Sequence, residues 1–289
     1  MTFARSRAVV GLEDLPTEQA QRVLDWTPDR GHLLLVGSPR SGRTTALRTI
    51  ATTLSATTSP SDLHLYVFDF GGSLRPLQAL PHVGAVVGTS EPDRLRRLVK
   101  RLSSEMSRRV AEFQRFGAGS LAEYKAGSGN HLAEILVLID RWEVIAERDP
   151  EEAARLRRFI AEGAGLGITV VVTSDARKGQ ALKSEVRDTL VLPMSEHLDY
   201  TFFDLKARDV PRGLPPGRAL RPQTSGYSEV QIAQLANSWL DVDQNAVVER
   251  VADRWSGHQF DLEEDQPIAV DILPVSVSLD SARALGKMR

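Results

Sequence analysis

The stretch GSPRSGRT, Gly37 to Thr44, is the densest concentration of chemistry-bearing residues in the sequence. An apolar run, HLLLV, precedes it, and TALRTIATTL, with helical character, follows. A strand, a glycine-bounded loop and a helix together make a phosphate cradle. Gly37 and Gly42 let the backbone wrap with its N–H groups inward, and the helix N-terminus adds partial positive charge. On this reading Gly37, Ser38, Pro39, Arg40, Ser41, Gly42, Arg43, Thr44 and Thr45 hold a nucleotide. The Thr44 hydroxyl would be a ligand for Mg²⁺, and Thr45 would support the helix start. One position departs from the G-x-x-x-x-G-K-[ST] pattern: Arg43 stands where lysine is expected. A guanidinium keeps the attraction for anions, but its wide planar fork does not fit under phosphates as a compact ammonium does. The bland alternative is a glycine-rich strand-to-helix turn with no ligand.

A nucleotide enzyme needs a second strand ending in an acid, and ILVLIDRWE, residues 135 to 143, provides one. Asp140 would hold the Mg²⁺ shell. The next position, where a carboxylate would orient the attacking water, is Arg141, and a cation there polarises no nucleophile. Glu143 is the remaining candidate for that catalytic role and would need a bend to take it. Arg43 and Arg141 together predict impaired hydrolysis.

Around these residues, apolar runs of strand length alternate with helical periodicity, which predicts an α/β fold with a mostly parallel central sheet flanked by helices. Strands are expected at Leu33–Val36, Leu63–Phe68, Ile135–Ile139, Ile168–Thr173 and Thr189–Leu192. Helices are expected at Thr44–Leu54, Glu91–Phe116, Glu151–Ala164 and around Asn245–Trp255. In Glu91–Phe116 the apolar stripe runs from Leu95 to Phe116, and both Phe113 and Phe116 are read as core. Ala126–Asn130 reads as a loop, and Pro211–Pro222 as a rigid irregular connection. The stretch Pro267–Leu279 alternates like an extended strand bounded by prolines and resembles a linker. The expected organisation is a lead-in over 1–30, the nucleotide domain over 31–240, and a helix plus linker over 241–289.

Of the 289 residues, 42% are hydrophobic and 26% charged, which excludes extensive disorder. Lys and Arg number 36 against 38 Asp and Glu, so the net charge of −2 draws the chain toward neither nucleic acid nor anionic lipid as a whole. Cysteine is absent, which excludes disulfides, thiolate chemistry and zinc-ribbon sites. The apolar runs fall far short of the ~20 residues of a membrane span, so no direct membrane contact is expected.

The segments VGLEDLPTEQ, GHLLLVGSPRSGRTTALRTIA, HLYVFDFGGSLRPLQALPHVGAVV, ILVLIDRWE, GLGITVVVTSDAR, PPGRAL and GYSEVQIAQL, in that order, resemble the FtsK/SpoIIIE family of hexameric motor ATPases. The stretches DFGGSLRPLQALPHVGAVV and GLEDLP are similar, more narrowly, to ATPase modules of the type VII secretion motors EccC and EssC. The resemblance implies a RecA-like (ASCE) P-loop NTPase fold, ATP and Mg²⁺ as ligands, and a multi-module parent protein tethered to the cytoplasmic face of the cell membrane. It implies neighbouring ATPase modules, a secreted substrate's signal segment and a hexameric assembly as partners. Carried over by position, Gly37, Ser41, Gly42, Arg43, Thr44 and Thr45 match the nucleotide loop, Asp140 the acid of the second motif, and Thr173-Ser174 the sensor. Later modules in that family often carry altered motifs, and the Arg43 and Arg141 departures resemble those of such a later module.

Several residues keep two readings. Asp69 is either near the nucleotide or a turn acid capping a loop, and His82 is either a ligand or a hydrogen-bonded structural histidine, the latter favoured. Any of Arg177, Arg187 and Arg218 could act in trans. The helix Glu91–Arg115 carries an excess of basic residues, which leaves a DNA-translocating ATPase as the alternative function, although DNA binding is not expected. A protein-binding module with a vestigial nucleotide pocket is the third reading.

Overall fold

The computed structural model describes residues 7–262 and 265–270. Ten strands form one sheet in the order β2-β1-β10-β9-β8-β3-β7-β6-β4-β5. The strands are β1 (Ala8–Leu15), β2 (Ala20–Trp26), β3 (Leu33–Val36), β4 (Leu63–Asp69), β5 (Val83–Gly88), β6 (Glu134–Asp140), β7 (Ile168–Ser174), β8 (Asp188–Val191), β9 (Arg218–Pro222) and β10 (Tyr227–Ile232). From β8 to β5 every pairing is parallel, and from β8 outward through β9, β10, β1 and β2 every pairing is antiparallel.

All residues of β3, β4 and β7 are buried, as strands covered on both faces by crossover helices must be. The helices are α1 (Arg43–Thr57), α2 (Pro92–Phe116), α3 (Leu121–Ser128), α4 (Trp142–Arg148), α5 (Pro150–Glu162), α6 (Ala176–Gln180) and α7 (Asp241–Arg254). One face of the sheet packs on α2 and α5 through residues such as Leu98, Leu102, Leu156 and Phe159, and the other packs on α1 through Leu47, Ile50 and Leu54.

The five expected strands are present with ends shifted by at most a residue, and the four expected helices lie where their periodicity put them. Three expectations are corrected. Residues 218–222 are not irregular but pair with β10, because Gly217, at φ 80°, turns the chain out of the prolines and into the sheet. Ala126–Ser128 are the last turn of α3, so the loop begins at Gly129. Phe116 is not core: it is 48% exposed at the end of α2, edge-on to Tyr124, while Phe113 is buried against the same ring.

The stretch over 1–30 contributes β1 and β2 to the same sheet as the nucleotide loop. Gly11 is where β1 and β10 approach closely, and a Cβ there would run into the Gln231 carbonyl. Of the strand expected over Pro267–Leu279, residues 267–270 are not a strand, and the remainder lies outside the described residues. Residues 265–270 are nonetheless tied down. His64 Nε2 bonds the Asp265 carbonyl at 2.9 Å, the Ile268 N–H donates to the Tyr66 hydroxyl at 2.8 Å, and Arg94 donates to the Val270 carbonyl at 2.8 Å. Among the described residues no helix is long and apolar enough to cross a membrane.

Candidate nucleotide site

The parallel strands β3, β4, β6 and β7 all end on one side of the sheet, which is where open α/β sheets place ligands. The β3–α1 loop arches over the end of β3 there. It is fixed from both sides: the Gly37 N–H donates to the Ser174 carbonyl at 3.1 Å, and the Gly217 N–H donates to the Ser41 carbonyl at 2.7 Å. Gly42 has φ 109°, and a Cβ on it would lie 3.0 Å from Gly217 Cα; a Cβ on Gly37 would lie 2.6 Å from Ser41 Oγ. Both glycines are therefore demanded by the loop's own wrapping. Arg40 completes the turn at φ 64°.

In front of the loop and of the first turn of α1 lies a cleft of about 400 Å³, lined among others by Arg40, Arg43, Thr44, Arg141, Gln231 and Gln234. Gln231 and Gln234 belong to β10 and the turn after it. They were missed as candidates, although the segment GYSEVQIAQL that carries them stood out in the resemblance.

Because β7 is inserted between β3 and β6, Thr173 reaches Asp140 directly. Asp140 is fully buried, and its Oδ1 accepts from Thr173 Oγ1 at 2.8 Å. Thr173 Oγ1 in turn accepts the Arg141 N–H at 2.7 Å. The Thr44 hydroxyl donates to both Asp140 oxygens, at 3.2 and 3.1 Å. Burial pushes the Asp140 carboxyl above the usual carboxylate range; the hydrogen bonds from Thr173 and Thr44 oppose this, the nearby Asp69 adds to it, and Arg43 opposes it.

Asp69 sits beside Asp140 in the β4–β6 register and is buried. Its carboxylate accepts the N–H groups of Gly72, Ser73 and Leu74 at 2.7, 3.1 and 2.8 Å, which makes it the cap of the following turn. That turn lays Gly71 against Asp140 so closely that a Cβ would overlap Asp140 Oδ2.

The two departures from the motif meet here. Arg43, only 6% exposed, directs Nη1 and Nη2 at Glu143 Oε1, each at 3.3 Å. Arg141 Nε lies 3.6 Å from the same oxygen, and Glu143 Oε2 accepts the Asp175 N–H at 3.2 Å. The bend that Glu143 needs is supplied by Arg141, whose left-handed backbone, φ 63° and ψ 62°, starts α4 at once after β6. Both Glu143 oxygens are already engaged.

The remaining candidates lie elsewhere. His82 is fully buried next to β5, bonds the Thr58 carbonyl at 2.8 Å and packs edge-on against Trp255, as a structural histidine does. Arg177 and Arg187 are exposed, and Arg218 is paired with Glu229 at 2.6 Å.

These residues fit a nucleotide with Mg²⁺. The loop leaves room for nothing but glycine at the two positions that wrap it, and the Thr44 hydroxyl and Asp140 carboxylate adjoin as a hard-oxygen pair of the kind Mg²⁺ takes.

Comparison with known proteins agrees with the geometry. Residues 5–192 match the FtsK/SpoIIIE family. The ESX secretion system protein EccC of Thermomonospora curvata is 32% identical over 229 residues, covering 75% of this chain and 17% of that protein. Among solved structures, EssC ATPases 2 and 3 from Geobacillus thermodenitrificans superpose with a TM-score of 0.83 at 24% identity, over 97% of this chain and 54% of that one. Thermomonospora curvata EccC ATPases 2 and 3, in complex with a signal sequence peptide, superpose with a TM-score of 0.76 at 26% identity, over 93% and 50%. The chain spans between 17% and 46% of the length of the three curated relatives compared. With its glycine-wrapped loop on β3, its buried acid at the end of β6 and a match across well over half its length, the chain belongs to the FtsK/SpoIIIE family and has the fold of the EccC and EssC ATPase modules.

Proposed function

We propose that this chain is a nucleotide-binding module of a type VII protein secretion motor, binding ATP or ADP with Mg²⁺ and hydrolysing weakly or not at all. Its role is regulatory or recognitional, at the cytoplasmic face of the membrane that anchors the parent protein. One observation carries the reading: the backbone cradle is intact while its lysine and water-orienting acid are replaced by arginines, one of them locked to Glu143. In this reading the loop 37–45 holds the phosphates, and Thr44 and Asp140 hold Mg²⁺, which when bound neutralises phosphate charge. Thr173 keeps the Asp140 carboxylate oriented. No residue presents a free carboxylate to an attacking water at the position of Arg141.

The signal peptide seen with the related EccC modules supports a secreted substrate's signal segment as partner; neighbouring modules of the parent protein, in a hexamer, are the further partners of this proposal. A DNA motor is less well supported. On α2, Arg96 pairs with Asp93, Arg108 with Glu105 and Glu112, and the buried Arg109 with Glu105, so these three of its basic side chains are tied to acids of the same helix and not presented singly to a phosphate backbone.

Steady-state phosphate release tests the reading. The wild-type chain should stay at background with Mg·ATP, because each missing group removes a factor on the order of 10² in rate. Robust release that disappears in Thr44→Ala would overturn it.

A further inference from the structure

We infer that the Glu143 carboxylate occupies the place of the outermost phosphoryl group of a nucleoside triphosphate, and that the cleft is therefore selective for a nucleoside diphosphate. This inference rests on the reading of the cleft as a nucleotide site.

Donors from three elements converge on Glu143: both guanidinium nitrogens of Arg43 at 3.3 Å, Arg141 Nε at 3.6 Å and the Asp175 N–H at 3.2 Å. Arg43 follows Gly42 in the loop, the position from which a cation reaches the β- and γ-phosphates. Arg141 follows β6 and Asp175 follows β7, so both stand at the strand ends that face a ligand's phosphates. A ring of this kind is what an anion at the far end of a phosphate chain would meet, and here a side-chain carboxylate fills it. The pair is well shielded, with side-chain exposures of 6% for Arg43 and 13% for Glu143.

Shielding makes the exchange selective. A carboxylate and a terminal phosphoryl group are both acceptors that a guanidinium grips with charge-assisted hydrogen bonds, and one Arg43 fork cannot serve both at once. A triphosphate entering the loop would have to displace Glu143 from Arg43 or hold its last phosphate against a carboxylate of like charge in a water-poor place. A diphosphate ends one group earlier. It leaves the Arg43–Glu143 pair standing and still takes the backbone donors of the loop, while its Mg²⁺ would be held by Thr44 and Asp140. Arg43 and Glu143 are each other's counter-charge, and removal of either leaves a shielded charge alone.

Titration of the full chain with Mg·ADP and Mg·ATP, in wild type, Glu143→Gln and Glu143→Ala, tests this, with thermal unfolding as the folding check. Wild type is expected to bind ADP at least about tenfold more tightly than ATP. Both variants should bring ATP to within a few-fold of ADP, chiefly by tightening ATP, because the competing charge is gone and Arg43 is released. Wild type that prefers ATP, or an ADP-to-ATP ratio that neither variant moves, overturns the inference and leaves the nucleotide site standing. Binding of neither nucleotide to any of the three chains removes the nucleotide reading itself, and this inference with it. Should a variant fail to fold, the wild-type ratio decides alone.

Discussion

The two ends of the parallel strands bury polar groups in opposite ways. Where β3, β4, β6 and β7 end, Asp69, Asp140, Arg43 and Glu143 are buried or nearly so and bound to one another, to hydroxyls or to backbone N–H groups. Where the strands begin, three histidines are buried, His32, His64 and His82, with a buried charge among them, Arg109, which is paired with Glu105 and donates to the Leu166 and Ala133 carbonyls. Burial pushes each histidine from 6.5 down to about 4, so the three are neutral, and each bonds backbone: Val170 N–H, Asp265 carbonyl and Thr58 carbonyl. These neutral groups each bond the backbone through one ring nitrogen, while His32 Nε2 and His82 Nδ1 are buried without a partner. Charges crowded behind a glycine-wrapped loop, with one acid raised by burial, are what a ligand site retains.

The largest expected effect lies at the histidine end and comes from acid. A histidine with a lowered folded pKa binds its proton more weakly folded than unfolded, so its stability is complete above 6.5 and is lost as pH falls toward about 4. Each of the three gives up roughly 1.4 kcal/mol for every pH unit of that descent, so the combined loss by about pH 4 is on the order of 10 kcal/mol at most. Denaturant unfolding across this range should show the slope, and replacing the three histidines by Gln one at a time should reduce it step by step. A flat profile between pH 6.5 and 4 would break the contrast.

Next in size is Asp69→Ala, which strands the N–H groups of Gly72, Ser73 and Leu74 and should cost about 3 kcal/mol in denaturant unfolding. Asp140→Asn should act in the other direction. The raised pKa of Asp140 means its contribution to stability is complete only below the ordinary carboxylate pKa and is lost as pH rises through the folded value. At neutral pH the uncharged amide should raise the unfolding midpoint while Mg²⁺-dependent nucleotide binding weakens. A fall in both would mean that the carboxylate is fully compensated. The smallest change is Arg43→Lys, expected to tighten nucleotide binding several-fold, about 1 kcal/mol, because a compact ammonium fits below the phosphates. No change would mean that the guanidinium is not the obstacle.

The sequence made the parallel core and the loop plain because both are written locally. Strands such as ILVLID and ITVVVTS are buried along their whole length, and a glycine-bounded turn between strand and helix shows itself within a dozen residues. The antiparallel half was not legible. Strands β1, β2 and β10 mix Glu, Gln and Arg with apolar residues, and although β2 pairs with β1 and β10 with β9 as local hairpins, the β1–β10 pairing that joins the hairpins into one sheet spans two hundred residues, as Gly11 with Ile232. Asp140 and Thr44 were identified from spacing, whereas the capture of Arg43 by Glu143 spans 100 positions and no spacing rule announces it. It depends on the left-handed turn at Arg141, a backbone state that an arginine's identity does not advertise.

Isothermal titration of the wild-type chain with Mg·ADP, repeated with Mg·ATP, decides whether the cleft takes a nucleotide at all. A single saturable site for ADP, lost when Mg²⁺ is removed or Asp140 is replaced by Asn, is the predicted result. The absence of binding heat for both nucleotides, in wild type and in Arg43→Lys alike, would contradict it and leave the cleft a relic of the loop that shaped it.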